Sequence, residues 1–295
     1  MIRLTTLALV SAALIAAPAG AQRNFDDVEI KAEQIAPGVA VLYGAGGNIG
    51  VSYGDDATVI IDDQFAPLTD KIEAKVEELG AQPVKYVVNT HWHFDHTGGN
   101  ENFGKAGATI FAHDNVRVRM AEGGTVVGNT TPPAPKDALP VVTYGQGMRF
   151  HLNGDTINLM YLGGGHTDGD SVVVWEEKNI VHMGDLYITI KSFPFVDRSS
   201  GGNVYNMMTT LDLVIAMLDD ETKVIPGHGA MSNKAELVAY RDMIGEAVSR
   251  VEALHEDGAT LEEAVAAKPL ASLDREGGFV SGDAFVTAIW GSIED

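Results

Sequence analysis

His91, His93, Asp95 and His96 stand within the run THWHFDHTGGN (residues 90–100), directly after the apolar stretch 85–89. In an extended segment alternate side chains share a face, so His91, His93 and Asp95 are expected to point one way and His96 toward a second position. Imidazole and carboxylate groups gathered so closely suit a first-row metal, Zn2+ above Fe or Mn. Three more candidate ligands recur in the same local setting. His166 lies in the turn Gly163-Gly164-Gly165-His166-Thr167, Asp185 follows Gly184, and His228 lies in Pro226-Gly227-His228-Gly229. Each sits just past a β-rich run, where the loops of a layered α/β fold gather. The neighbouring glycines permit the close backbone approach that a packed metal centre needs. A solvated His-rich turn does not account for that recurrence.

Such a centre needs strands and helices to position it. Residues 39–43, 49–53 and 58–61 are short β-rich runs punctuated by Gly and Asp, and read as antiparallel strands. Ile72, Val76 and Leu79 recur at helical spacing, predicting a helix over 68–79 that Gly80 closes. Further strands are predicted at 85–89, 109–112, 148–152, 156–161, 172–175, 180–183 and 223–225. Helices are predicted over 204–218, 234–254, 261–267 and 284–293. The proline-rich stretch 123–140 reads as a long irregular loop, expected to be a mobile flap over the site. Strands and helices interleave without a compositional break, which predicts one mixed α/β domain over residues 22–295.

The chain has 295 residues, 45% hydrophobic and 21% charged, a composition able to bury a core. Its formal net charge of −21 repels phosphate backbones and argues against nucleic acid as a partner. With no cysteine, disulfides, thiolate metal sites and cysteine nucleophiles are excluded. Residues 1–21 combine Arg3, an apolar stretch and the small-residue end Ala19-Gly20-Ala21, the pattern of a signal peptide cleaved before Gln22. That stretch is shorter than the ~20 residues of a spanning helix. An exported, periplasmic protein with no membrane anchor is expected.

The ordered set HWHFDH, GGGHT, GDL and PGHG resembles the metal motifs of the metallo-β-lactamase superfamily. The resemblance implies a four-layer αβ/βα sandwich and two Zn2+ per chain with a hydroxide between them. It implies one metal on His91, His93 and His166, the second on Asp95, His96 and His228, and Asp185 bridging the two. Asp95 would also orient the nucleophile as a catalytic residue. Asp62 and Asp63 resemble the family's acids beneath the ligands, one of them holding a ligand histidine. Lys191 and the Gly201-Gly202-Asn203 turn resemble the lysine and Gly-Asn loop that meet substrate in cysteine-containing β-lactamases, although their spacing from Asp185 departs from that pattern. Of the nine histidines, His113, His151, His182 and His255 receive no role.

The implied activity is hydrolysis of a small molecule by a metal-generated hydroxide. Export favours β-lactams, because their targets are met in the periplasm. Asp185 pulls the other way: the β-lactamase subclasses it resembles place a cysteine or no acid there, whereas glyoxalase II-like thioesterases and lactonases share the bridging aspartate. Fold and motif alone do not name the substrate.

Overall fold

The computed structural model describes residues 24–126, 129–273 and 277–295. The leader expected over residues 1–21 lies outside them. The first sheet begins as an antiparallel meander, β1 (Lys31–Ala36), β2 (Val39–Tyr43), β3 (Ile49–Ser52) and β4 (Thr58–Ile61). Helix α1 (Thr69–Glu78) then crosses over to β5 (Val84–Val88), which runs parallel to β4. Past β5 come the short helical turn α2 (Phe94–Thr97), α3 (Asn100–Lys105), β6 (Thr109–His113) and α4 (Asp114–Glu122). A separate hairpin, β7 (Gly124–Val126) with β8 (Asn129–Thr131), precedes the parallel edge strand β9 (Val142–Tyr144).

The second sheet runs β10 (Gly147–Leu152), β11 (Asp155–Tyr161), β12 (Ser171–Trp175), β13 (Ile180–His182), β14 (Lys223–Ile225) and β15 (Ser232–Asn233). Asn153 and Gly154, both at positive φ (56° and 69°), make the two-residue turn that joins β10 to β11. Helix α5 (Val204–Met217) crosses from β13 to the parallel β14, and α6 (Lys234–Glu256), α7 (Leu261–Ala266) and α8 (Gly282–Ile293) follow.

Side-chain alternation explains how these elements stack. Val39 and Val41 of β2 face the second sheet, while the intervening Ala40 and Leu42 face α1. Between the sheets, Val59, Val88 and Phe111 meet Ile157, Val173 and the fully buried Trp175. Outside the first sheet, Ile60 and Ile110 pack on Ile72, Val76 and Phe103; outside the second, Val181 and Val224 pack on Leu211, Ile244 and Phe285. Strands buried on both faces read as continuous apolar runs, which is why β4 and β12 were legible. The result is the helix–sheet–sheet–helix sandwich that the motif resemblance implies.

Several elements depart from expectation. Residues 123–140 are not irregular throughout: Gly124–Val126 and Asn129–Thr131 pair as antiparallel strands, and Lys136–Ala138 make a 3-10 turn. Val126 is buried against Trp92 and Phe195, so the base of this segment is packed down rather than free. Helices α3 and α4 escape a periodicity reading because they bury few apolar side chains, Phe103 in one and Val116 and Met120 in the other. Edge strand β1 is mostly exposed and polar. Among the described residues, no helix is long and apolar enough to cross a membrane.

Candidate metal centre

All the expected ligands converge at one end of the sandwich. His91 and His93 leave the end of β5, and Asp95 and His96 follow on α2, with His93 as its N-cap. The alternation expected for His91, His93 and Asp95 therefore stops at His93. A helical turn, not an extended chain, swings Asp95 and His96 toward the second position. His166 follows β11, Asp185 sits in a 3-10 turn after β13, and His228 follows β14.

Their ligand atoms form overlapping groups: His91, His93 and His166; His91, His96 and Asp185; Asp95, His96 and His228. His93 Nδ1 lies 2.9 Å from His166 Nε2, and His96 Nε2 lies 3.3 Å from His228 Nε2. Asp185 reaches both sides, with Oδ1 3.2 Å from His96 Nε2 and Oδ2 3.4 Å from His228 and 3.7 Å from His166. Asp95 Oδ2 lies 3.4 Å from His228 Nε2.

Hydrogen bonds on the far side of each ring decide which nitrogen faces inward. His166 Nδ1–H donates to Phe195 O at 2.6 Å, leaving the Nε2 lone pair for the centre. Asp197 Oδ2 takes the Nε2–H of His93 at 2.9 Å, so His93 offers Nδ1 instead. Asp62 holds His96 Nδ1 at 2.7 Å and accepts from Thr90 N and Thr90 Oγ1, both at 2.7 Å. With its proton spent on Asp62, the Thr90 hydroxyl can accept from His91 Nδ1 at 3.0 Å. Carboxylate and carbonyl partners of this kind orient and strengthen histidine ligands.

The donor set fits divalent cations. His91 Nε2 and Asp185 Oδ1 are buried without any hydrogen-bond partner, and the inward lone pairs of His93 and His166 face each other. A cation resolves both conflicts, and the imidazole–carboxylate chemistry suits Zn2+. Burial, together with neighbouring His96, His166 and His93, holds His91 far below the usual histidine pKa. Burial and His93 bring His166 down to about 4. Both rings are thus neutral and ready to ligate. Burial opposes charge on His96 as well, but Asp185, Asp95 and Asp62 win and hold its pKa well above normal. Asp185 is itself held well below the carboxylate range against burial, by His228 and His96.

Close packing demands glycine beside the ligands. A Cβ on Gly227 would lie 2.0 Å from Asp185 Oδ1, and one on Gly165 (φ +147°) would lie 2.4 Å from Met207 Cα. Asn48 pins the His228 loop by donating from Nδ2 to Pro226 O and Gly229 O at 2.8 and 2.9 Å. Asp170, raised to about 7 by burial, grips the glycine turn through His166 N and Thr167 N and Oγ1. His182, which sequence reasoning left without a role, accepts from Gly184 N through Nδ1 and donates from Nε2 to Asn48 O. It braces the Asp185 turn against the His228 loop.

The remaining expectations fare differently. Of the acidic pair, Asp62 holds a ligand histidine; Asp63 Oδ1 accepts from Gly99 N at 2.8 Å instead, and burial pushes its carboxyl well above the usual range. Asn203 Oδ1 caps α5 by accepting from Tyr205 N and Asn206 N, its Nδ2 donates to Asp295 Oδ2, and it is not among the described residues lining the cavity over the ligands. Lys191 is exposed and does not line the cavity over the ligands, although Ile190 and Ser192 on either side do. Asp197 was missed. An Asx-type turn over Ser199 N is its local signal, but nothing local links it to His93. Replacing Asp197 by Ala is expected to weaken metal binding about 10–100-fold, measured by competition with a chromophoric chelator. Unaltered affinity would rule out the positioning role.

The match to known proteins agrees with this geometry. Residues 42–228 match the model of the metallo-beta-lactamase superfamily. The chain is 27% identical over 179 residues to a type 2 metallo-beta-lactamase of Bacteroides fragilis, covering 60% of this chain and 62% of that protein. It is 26% identical over 226 residues to a hydroxyacylglutathione hydrolase of Methylococcus capsulatus, covering 74% and 77%. Among solved structures, a metallo-beta-lactamase from Pontibacter korlensis superposes with TM-score 0.61 at 19% identity, over 74% of this chain and 99% of that one. The sec-alkylsulfatase Pisa1 from Pseudomonas sp. gives 0.66 at 18% identity, over 88% of this chain and 50% of that one. Ordered motifs, a common sandwich and a convergent ligand cluster agree: the chain belongs to the metallo-beta-lactamase superfamily, whose members include hydrolases.

Proposed function

We propose that the protein is a dizinc hydrolase of small molecules that opens the strained cyclic amide of a β-lactam. The observation that carries the hydrolase reading is the convergence of His91, His93, His166, Asp95, His96, His228 and Asp185 at one place, with His93, Asp95, Asp185 and His228 lining a cavity of about 430 Å³ above it. When bound, two Zn2+ supply hydroxide at neutral pH and polarise a carbonyl. His91, His93 and His166 would hold one ion and Asp95, His96 and His228 the other, with Asp185 shared. Asp95, partly exposed at the cavity floor, orients the water that attacks. The buried rings, fixed by Asp62, Asp197 and Phe195 O, keep the floor rigid through the reaction. Ring strain in a β-lactam lowers the demand on further polar groups, and export to the periplasm would place the enzyme beside the targets of such compounds.

One observation favours a second reading, an ester, lactone or thioester substrate. No Lys or Arg is among the described residues lining the cavity, so none of them pairs with a β-lactam carboxylate.

The test is a zinc count followed by a substrate panel. Elemental analysis of the purified protein is expected to find two Zn2+ per chain, and the zinc-loaded protein is expected to open penicillins, cephalosporins or carbapenems and to stop when chelated. A single tightly held metal at saturating zinc would overturn the two-metal site. Failure on all three β-lactam classes, with good turnover of a lactone or thioester, would hand the function to the second reading.

A further inference from the structure

We propose that Phe279 and Val280, together with Phe195 and Ile190, form an apolar seat that selects substrates carrying an uncharged hydrophobic acyl group. The proposal rests on the hydrolase reading and adds the substrate class of its site. Phe279 and Val280 lie beyond the region matched to the superfamily, residues 42–228, yet both line the cavity over the ligands.

The segment is firmly held while its aromatic side chain is left in solvent. Val280 is buried, and its N–H donates to Ser192 Oγ at 2.9 Å. Gly278 lies so close to the preceding loop that a Cβ there would meet Lys191 O at 2.4 Å. Beyond it, Phe285 of α8 stacks on Phe193 at 5.3 Å. Phe279 nevertheless remains 69% exposed, a cost for an aromatic ring on an ordered segment.

Its position gives that exposure a use. The Phe279 ring meets Phe195 edge-on at 6.0 Å, and Phe195 stacks on the ligand His93 at 5.7 Å. A ladder of rings therefore runs from the cavity mouth to the metal centre. Phe94 and Ile190, also exposed, border the same cavity. The charged side chains among its described lining are confined to the floor, as the ligands His93, Asp95, Asp185 and His228. A carboxylate on the acyl group would face apolar walls and those acids, while an alkyl or aryl group would bury apolar surface. Each methylene seated there multiplies binding about fourfold, from ~0.8 kcal/mol per buried CH2.

The test uses the zinc-loaded full chain with p-nitrophenyl acetate, butyrate, hexanoate and hemisuccinate. Expected are a rise in kcat/KM of about fourfold per methylene from acetate to hexanoate, carried by KM, and a hemisuccinate value below that of butyrate. Phe279→Ala is expected to flatten the chain-length slope, whereas Phe279→Leu retains most of it. Calorimetric binding of hexanamide against acetamide gives a readout independent of turnover, with hexanamide favoured by the wild type and the preference reduced in Phe279→Ala. A flat slope in the wild type, or equal slopes in wild type and Phe279→Ala, overturns the seat. If no ester is hydrolysed the ester reading fails while the β-lactam reading is left to its own panel, and the amide pair alone then decides the seat.

Discussion

Asp185→Asn is expected to lower kcat/KM by about 10²-fold or more and to leave the protein with fewer than two zinc ions per chain. The carboxylate spans the two ligand groups, with Oδ1 3.2 Å from His96 Nε2 and Oδ2 within 3.4 Å of His228 and 3.7 Å of His166. His228 and His96 hold it ionised despite burial, so it contributes a full negative charge where two cations would sit. Asparagine keeps the shape and loses the charge, and an amide is a poor partner for two cations. Gly227 packs tightly against the position, where a Cβ would lie 2.0 Å from Asp185 Oδ1. Zinc stoichiometry by elemental analysis and ester kinetics at saturating zinc measure the two effects separately. Full metal content with undiminished turnover in Asp185→Asn would remove Asp185 from the bridging position.

Asp62→Ala is expected to cost about 3–5 kcal/mol of stability and to weaken metal binding about 10–100-fold. Asp62 is wholly buried and accepts from Thr90 N, Thr90 Oγ1 and His96 Nδ1, each at 2.7 Å. Alanine strands all three donors away from water, and an unpaired buried donor costs about 1–3 kcal/mol. The backbone at Asp62 adds to this: its φ of +65° suits Asp or Asn better than Ala. Denaturant midpoints of the metal-free protein isolate the folding term, and chelator competition the metal term. Asp62→Asn restores one acceptor and tolerates the backbone, so it is expected to fall between wild type and Ala. A metal-free Asp62→Ala protein as stable as wild type would contradict this account.

The ligand set was legible because its chemistry is local. Each histidine or aspartate follows closely on an apolar strand, His166, Asp185 and His228 with glycine beside them, and strands buried on both faces announce themselves as apolar runs. The same locality made α1, α5 and α6 readable and hid α3, α4 and the β7–β8 hairpin. Those elements bury little apolar surface of their own and are held by contacts such as Ser199 Oγ donating to Thr125 O. Asn203 shows a role that local sequence does not separate from another. A Gly-Asn turn after Asp185 looked like a substrate loop, but the start of α5 claims the side chain as its cap.

From the sequence alone came the seven candidate ligands, through the motif resemblance, the layered α/β class, and the acidic pair Asp62 and Asp63 as candidate partners beneath them. The tertiary structure decided which ring nitrogen each histidine presents, because that depends on partners remote in the chain: Asp197 for His93, Phe195 O for His166 and Asp62 for His96. It also decided that Phe279 reaches the cavity and that Lys191 does not line it. The division has a physical cause. Side-chain type and hydrophobic period belong to short stretches of chain, whereas orientation, hydrogen bonding and cavity shape arise only when loops from two packed sheets meet.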